Sequence, residues 1–217
     1  CARAGIPTQI GTIAIGGASS PITTAGTLVH CLATDFAAMV LAQAAAPGAF
    51  AIGSTNPYFM EVATGGIGNL PQTMLGEQII CQIRRRLGIP SFTGLGGEAH
   101  SRRFGADSVF EVATMMGQFY HCRPATCDYL GSVDQGMTYS PQSLMLCNDI
   151  AGMLRALWQG TVVDDDTLAL DLTREIGLFG TVLGHPHTAR HCRNAPWNSP
   201  FFGGNEPLST TDKPYED

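Results

Sequence analysis

Three histidines late in the sequence have the spacing of a metal site. His185, His187 and His191 lie in the segment HPHTARH, and the last two are four residues apart. Residues four apart share a face of an α-helix, so two imidazoles could bind one ion. A tetrahedral site would still need a carboxylate or thiolate from elsewhere in the chain. The same imidazoles can instead line a pocket or cap a helix, and the sequence leaves both interpretations open.

A second group of residues combines aromatic rings, an amide and a carboxylate. Asn56, Tyr58, Phe59 and Glu61 follow the apolar run 50–52, which is the second predicted strand. Aromatic rings beside a carboxylate can hold a quaternary ammonium group by cation–π attraction. Packing within a loop explains the same residues without any ligand.

Glycines are concentrated after the third predicted strand. Gly94, Gly96 and Gly97 lie in GLGGE, and residues 65–68 read GGIG. Neither segment has the spacing of a dinucleotide-binding turn or the lysine of a P-loop, so nucleotide binding is only weakly supported. Glycines of this kind favour tight turns or the close approach of a large flat ligand.

Composition limits the classes of partner. The chain has 217 residues, a net charge of −6 and a single lysine, Lys213. Binding to nucleic acid needs clustered basic residues, so that class is excluded. The only basic run, 84–86, is expected at the surface, where the dipole at a helix end favours it. Charged residues make up 14% of the chain, which indicates either a surface covered by a partner or a large core.

The chain has the features of a reduced, cytoplasmic protein. Its seven cysteines include no C-x-x-C pair, which favours free thiols. The longest apolar stretch, 36–52, is interrupted by Gln43, Pro47 and Gly48, so we expect no membrane span.

Short β-like runs alternate with helical patterns along the chain. The predicted strands are 9–15, 50–52, 91–93 and 126–130, and the predicted helices are 24–46, 72–87, 107–120, 141–159 and 166–176. This alternation predicts an α/β fold with parallel strands. Four such units are half of an eight-stranded barrel, and an open sheet is the alternative; in both, loops after the strands build the active site. Residues 1–193 are expected to form one unit and 194–217 an irregular tail.

Several segments, in a fixed order, carry a resemblance to a known family. They are SPITTAGT (20–27), LAQ (41–43), LGIP (87–90), GMTYS (136–140), GMLR (152–155), DTLALD (166–171) and LGHPHTARH (183–191). Together they resemble the trimethylamine methyltransferase (MttB-like) family over about residues 1–193. The histidine-rich ending is the most specific segment.

The resemblance implies a (β/α)₈ TIM barrel, with this chain supplying roughly the C-terminal half. It implies methyl transfer from a methylated amine to the Co(I) of a corrinoid (cobalamin) carried by a partner protein, with no protein-bound metal and no cofactor held tightly by this chain. The absence of pyrrolysine favours members that act on quaternary amines such as glycine betaine. A half-barrel exposes apolar surface, so we expect a homo-oligomer or a companion chain that supplies the other half.

The resemblance also implies roles for individual residues. Substrate binding is expected at Asn56, Tyr58 and Phe59. Orientation of the substrate, or contact with the corrin, is expected at His100, Asp107 and His187. The flat face of the corrin is expected over Gly94, Gly96 and Gly97. The family's D-M-R-x-G stretch is altered here over 59–65, which leaves two rivals: an inactive, structural half-barrel, or a zinc-dependent barrel enzyme using His185, His187 and His191.

Overall fold

A computed structural model of the chain describes residues 1–68, 71–94, 96–192 and 197–201. The strands are β1 (Thr8–Ile10), β2 (Ile13–Gly16), β3 (Ala51–Gly53), β4 (Asn56–Met60), β5 (Ile67–Gly68), β6 (Phe92–Thr93), β7 (Thr126–Cys127), β8 (Ser132–Val133) and β9 (Thr138–Tyr139). The helices, after a 3₁₀ turn at Ala2–Ala4, are α1 (Thr24–Ala45), α2 (Pro71–Arg86), α3 (Ala106–Gly117), α4 (Phe119–Cys122), α5 (Pro141–Gln159), α6 (Asp165–Leu168), α7 (Leu170–Ile176) and α8 (Pro186–His191).

The chain separates into two compact units, Cys1–Ala151 and Gly152–Asp217. The sequence predicted a single unit over 1–193 and an irregular tail over 194–217. Most of that tail lies outside the described residues, so its irregularity stays a prediction.

Parallel strands follow one another across the first unit in chain order. β1 pairs with β3 and β2 pairs with β4 in the same register, so 8–16 and 51–60 each form one interrupted strand. A parallel bridge from Gly53 to Ser91 continues the order, and β6 then pairs with β7 in parallel. Helices α1, α2 and α3 connect these strands. The predicted α/β class is confirmed.

Helix α1 packs against the strands through a stripe of buried side chains, some of which are apolar and some polar. Thr23 begins the helix, because its hydroxyl accepts a hydrogen bond from the N–H of Gly26 at 3.3 Å. Leu28 and Cys31 on the stripe join Ala14 of β2 and Ile80 of α2 in a buried cluster. This cluster fixes both helices on one side of the sheet.

The prediction that the basic run lies at the surface is wrong for Arg84. Its side chain is fully buried, and its Nε donates to Oδ2 of Asp35 at 2.8 Å. Its two terminal nitrogens donate to the carbonyls of Thr55 at 2.5 Å and Phe92 at 3.2 Å. The guanidinium therefore joins α1 and α2 to two strands, because its fork of donors matches a carboxylate and two carbonyls.

Several predicted boundaries are corrected by backbone conformation. The second strand does not end at residue 52 but resumes as β4, so Asn56, Tyr58 and Phe59 lie within a strand and not in a loop. The fourth strand ends at Cys127. The predicted helix 166–176 is divided into α6 and α7 at Ala169, whose φ is +47°. A left-handed residue cannot continue a right-handed helix.

A short antiparallel hairpin was not predicted. β8 and β9 pair across a turn in which Asp134 and Gln135 both have φ of +55° and Gly136 has φ of +80°. Two consecutive non-glycine residues in the left-handed region give no simple turn signature in the sequence. The hairpin matters for the site because its turn closes one side of a cavity.

Helix α1 is long and apolar enough to cross a membrane by length and composition. A core helix of a globular protein passes the same test. The buried ion pair of Asp35 and the contacts with β2 and α2 are those of a core helix.

All seven cysteines are free thiols, as expected from their spacing.

Candidate active site

Successive side chains of β4 point to opposite faces of the sheet, so the three expected substrate-binding residues do not all lie on one face. Asn56 and Tyr58 point to the side of the sheet that carries the cavities described below. Phe59 points to the opposite side, where its ring lies against Gly16 and close to Gly76 of α2. Phe59 lines neither cavity, because successive side chains of a strand point to opposite faces.

Two neighbouring cavities of about 360 Å³ and 200 Å³ lie on this face, and they share Ile13, Tyr58 and Tyr129. The larger one is also lined by Ile67, Glu98, His100, Gln135, Gly136 and Met137. The smaller one is also lined by Gln9, Gly11, Thr12, Ser54, Asn56, Phe92, Gly94 and Asp128. The structure therefore brings together four of the residues expected from the sequence: Asn56, Tyr58, Gly94 and His100.

The backbone around His100 is held by one carboxylate. Oε2 of Glu111 accepts hydrogen bonds from the N–H of His100 at 2.7 Å, and from the N–H and hydroxyl of Ser101 at 3.1 Å each. Burial lowers the pKa of the His100 imidazole, against the opposing charge of Glu111. The ring is therefore mainly neutral at pH 7 and can accept or donate a hydrogen bond.

Two carboxyl groups face the cavities with raised pKa values. Burial, with the nearby charge of Glu98, raises the pKa of Asp128 to about 7. Burial also raises the pKa of Glu98 itself. A cation that enters the cavity favours the charged form of such a carboxyl group, because its attraction offsets the free-energy cost of removing the negative charge from water.

A polar network behind the cavity fixes Asn56 and Tyr58. Oε2 of Glu77, on α2, accepts from the hydroxyl of Thr93 at 2.9 Å. In the orientation that satisfies its hydrogen bonds, the Asn56 amide donates to Oε1 of Glu77 at 3.2 Å and accepts from the N–H of Gly94 at 3.0 Å. The Tyr58 hydroxyl donates to the carbonyl of Gly94 at 3.3 Å.

The charge state of this network follows from its burial. Complete burial holds the pKa of Glu77 well above its ordinary range. Burial also raises the pKa of the Tyr58 phenol, so its hydroxyl stays protonated and serves as a donor. The hydrogen bonds of this network hold the Tyr58 ring in one position in the wall of the cavity.

The three glycines expected to meet a corrin face are already in close contact with this chain. A Cβ at Gly94 would lie 2.6 Å from Nδ2 of Asn56, one at Gly96 would overlap the backbone of Asp128, and one at Gly97 would overlap Sγ of Cys147. Close packing within the unit accounts for all three, and only Gly94 lines a cavity.

Two expected catalytic residues, Asp107 and His187, line neither cavity. Asp107 is exposed in the first turn of α3, where its charge complements the helix dipole. His187 belongs to the second unit, and its contacts there are with Asp166 and His191. His185 does not join them as a third ligand, because its Nδ1 accepts the N–H of His187 at 3.1 Å and begins α8. The alternative in which all three histidines bind one ion is therefore not supported by the position of His185.

Sequence reasoning did not single out Glu98, Asp128 or Tyr129. All three lie just after the third and fourth parallel strands, where side chains of an α/β fold converge. Their position just after a strand could therefore have identified them as site residues. Chemically, the face combines two aromatic rings, two carboxyl groups and a neutral imidazole, which suits an organic cation more than an anion.

Comparison with known proteins gives the family. The sequence profile of trimethylamine methyltransferase (MTTB) matches residues 1–208. The trimethylamine methyltransferase MttB of Methanosarcina barkeri is 30% identical over 190 residues, which are 86% of this chain and 38% of that protein. The MttB of Desulfitobacterium hafniense (strain DSM 10664 / DCB-2) is 30% identical over 195 residues, covering 88% and 39%.

A relative with a different name also matches. The glycine betaine methyltransferase of Desulfitobacterium hafniense (strain Y51) is 27% identical over 192 residues, which are 88% of this chain and 40% of that protein. The chain thus spans about two fifths of the length of the curated relatives it matches. Because the profile covers nearly the whole sequence, the chain belongs to the trimethylamine methyltransferase family.

Proposed function

We propose that this chain takes part in methyl transfer from a methylated amine, preferably a quaternary one, to the cobalt of a corrinoid carried by a partner protein. The observation that carries the proposal is the cavity face on which Tyr58 and Tyr129 lie beside Glu98 and Asp128. The aromatic rings can contact the apolar methyl groups of such an amine and attract its cation, and the carboxyl groups can balance its positive charge. The names of the relatives, which include both trimethylamine and glycine betaine methyltransferases, support the reaction class.

The residues of the face have simple tasks in such a reaction. The C–N bond breaks with its electron pair on nitrogen, so a quaternary amine leaves as a neutral molecule and needs no proton. Tyr58 and Tyr129 hold the cation, and Glu98 and Asp128 balance its charge. His100, kept in place by Glu111, orients the bound amine. Orientation and exclusion of water then provide the rate enhancement.

The chain offers an open approach for a partner's corrinoid. A corrinoid brought to this chain would supply, from Co(I), the electron pair that accepts the methyl group. At one rim of the larger cavity lie Gly136 and Met137, and the Met137 side chain is 82% exposed. An exposed rim of this kind leaves room for a broad, flat group brought by another protein. Because close packing within the chain accounts for Gly94, Gly96 and Gly97, we place the corrinoid at this rim and not over those glycines.

We further propose that the first unit is about half of an eight-stranded barrel. Four strand segments that are parallel and ordered along the chain support this architecture. The outer face of α1 exposes Val29, Phe36, Val40 and Leu41, each at least 46% accessible. An apolar surface of this kind supports association with a second copy or with a companion chain.

The test measures methyl transfer to free Co(I) cobalamin from tetramethylammonium, glycine betaine and trimethylamine. We expect the visible absorbance of methylcobalamin with at least one quaternary amine, and a clear loss of rate in Tyr129→Leu. Tyr120→Leu, which changes an exposed tyrosine outside both cavities, is the matched control and should keep its rate.

Binding is measured in parallel, because a half-barrel can bind an amine without completing the reaction. Calorimetric titration with tetramethylammonium should show saturable binding that Tyr129→Leu weakens. A folded protein that neither binds nor demethylates any of these amines would overturn the proposal and favour the structural, inactive half-barrel.

A further inference from the structure

Among the described residues, one group has the composition and spacing to hold a metal ion, and it lies between two helices of the second unit. Asp166 of α6 lies against His187 and His191 of α8, and one ligand atom from each lies within 4.8 Å of the other two. Nε2 of His191 is 3.0 Å from Oδ2 of Asp166, and Nε2 of His187 is 2.9 Å from the Asp166 carbonyl oxygen. Both imidazoles therefore direct the same nitrogen toward one residue.

We propose that Asp166, His187 and His191 form a binding site for a divalent zinc ion. The sequence placed two imidazoles on one helical face but offered no carboxylate, and folding supplies that carboxylate from a segment more than twenty residues earlier. The resemblance to the methyltransferases implied no metal, so the site goes beyond the methyl transfer proposed above.

The dimensions are close to those that zinc requires. Ligand atoms bonded to tetrahedral zinc at about 2.0–2.2 Å lie roughly 3.4 Å from one another. The observed separations, all under 4.8 Å, need only small side-chain rotations to reach this value. The rings of His187 and His191 already lie with centroids 4.4 Å apart and planes at 37°.

The identity of the ligands selects the class of ion. Two imidazoles with one carboxylate favour zinc and its neighbours over calcium or magnesium, which prefer oxygen ligands. Three protein ligands leave the fourth position of a tetrahedral ion open to water. Asp166 is exposed and both histidines are partly buried, so an ion can enter from solvent.

Arg190 behaves as an outer partner of the site. Its guanidinium donates to Oδ1 of Asp166 at 2.9 Å, while Oδ2 faces His191. The carboxylate can therefore bind an ion through one oxygen and keep its arginine on the other. Hydrogen bonds from outer residues commonly fix metal ligands in this way.

His185 is excluded from the ligand set by its role in starting the helix. Its Nδ1 accepts the N–H of His187, and its Nε2 lies 3.9 Å from Oε2 of Glu175. Asn at this position would retain a side-chain acceptor for the helix start. His185→Asn is thus a control in the same motif that should leave zinc binding unchanged.

The experiment titrates the purified, reduced chain with Zn²⁺ against a chromogenic chelator, and with Co²⁺ as a spectroscopic probe. We expect one ion per chain and visible Co²⁺ bands of low coordination number, without a sulfur-to-cobalt charge-transfer band. His191→Ala and Asp166→Ala should weaken binding by at least about 100-fold. Arg190→Gln should weaken it by about 10- to 100-fold, as outer-partner losses typically do.

Three results would overturn the site. The first is the absence of zinc binding to the wild-type chain, a measurement that does not depend on any variant. The second is a sulfur-to-cobalt band, which would place the ion on cysteines. The third is unchanged affinity in the His187→Ala/His191→Ala double variant. Circular dichroism of each variant identifies loss of folding, and His191→Gln replaces His191→Ala if the latter is unfolded.

Discussion

Arg84 and Asp35 form a fully buried ion pair in which Nε of the arginine donates to Oδ2 of the aspartate at 2.8 Å. Oδ1 of Asp35 in turn accepts from the N–H of Thr55 at 3.0 Å. The pair connects α1, α2 and the strand interruption at residues 54–55 directly behind the cavity face. Its integrity therefore affects both the stability of the first unit and the position of the strand that carries Asn56 and Tyr58.

Removal of one partner should be costly. Arg84→Met leaves Asp35 buried without its charge partner, and such losses typically reduce the free energy of unfolding by about 3–5 kcal/mol. The denaturation midpoint should fall accordingly. Arg86→Met changes an exposed residue of the same helix and should leave the midpoint nearly unchanged. Equal midpoints for the two variants would refute a structural role for the pair.

The sequence predicted the parts of the fold that depend on local signals. The helix predicted over 141–159 is α5, and the hydroxyl of Ser140 at its start accepts the N–H of Ser143 at 3.2 Å. Glycines and prolines also located most of the helix ends. Burial of Arg84 could not be predicted, since three other segments of the chain supply its acceptors. Local charge rules describe an isolated helix and not its packing.

The candidate site was predicted in part for a similar reason. Tyr58 was identified by residue type and its position beside a predicted strand, and His100 by the family resemblance; both line the larger cavity. Phe59 was grouped with Tyr58 because the predicted strand ended too early; alternation along the longer strand β4 separates the two side chains. Asp166 was seen only as part of a family motif, because its contact with His191 depends on how two short helices meet.

Glu111 should control the mobility of the segment that carries His100. Glu111→Ala removes an acceptor of three hydrogen bonds, each worth about 1.5–3 kcal/mol when the acceptor is charged. Amide hydrogen exchange at His100 and Ser101 should accelerate by about 10- to 100-fold or more. Asp107→Ala, in the same helix and exposed, should leave exchange at these amides unchanged. Equal exchange in both variants would show that the segment is held by other contacts.

Gly96 should tolerate no side chain. A Cβ there would lie 2.7 Å from the carbonyl carbon of Asp128 and closer still to its oxygen. We expect Gly96→Ala to destabilise the chain by about 1–3 kcal/mol, as overpacking typically does. Gly105→Ala is the control, because nothing lies within 4 Å of its Cβ position and its φ of −178° suits any residue. A similar thermal midpoint for both variants would contradict the close packing.

Tyr129 should contribute to cation affinity through its ring and not its hydroxyl. The residue lines both cavities and is 49% exposed. A cation–π contact is worth about 0.5–2 kcal/mol, so Tyr129→Leu should raise the dissociation constant of tetramethylammonium by about 2- to 30-fold. Tyr129→Phe retains the ring and should stay near the wild-type value. Calorimetry that finds the leucine variant unaffected would remove Tyr129 from the binding face.

Binding of an organic cation should strengthen as pH rises through about 7. The pKa of Asp128 is raised to about 7 by burial and by Glu98, so this carboxyl group is largely protonated below that pH and charged above it. Only the charged form attracts a cation, and the affinity for tetramethylammonium should therefore increase between pH 6 and pH 8. Loss of charge from His100 would act in the same direction, but burial lowers its pKa, so this imidazole titrates at lower pH than an exposed histidine. The Asp128→Asn variant separates the two groups, because it removes only the contribution of the carboxyl group.

Asp128 should also make the free energy of unfolding depend on pH, in the direction opposite to that of the cation affinity. A carboxyl whose pKa is raised from 3.8 to about 7 on folding favours the folded state at low pH, and this contribution is lost as pH rises through about 7. Asp128→Asn should remove that loss, so that the variant gains stability relative to the wild type above pH 7 while its cation affinity becomes less dependent on pH. A wild-type affinity that does not change between pH 6 and pH 8 would show that Asp128 does not balance the charge of the bound amine.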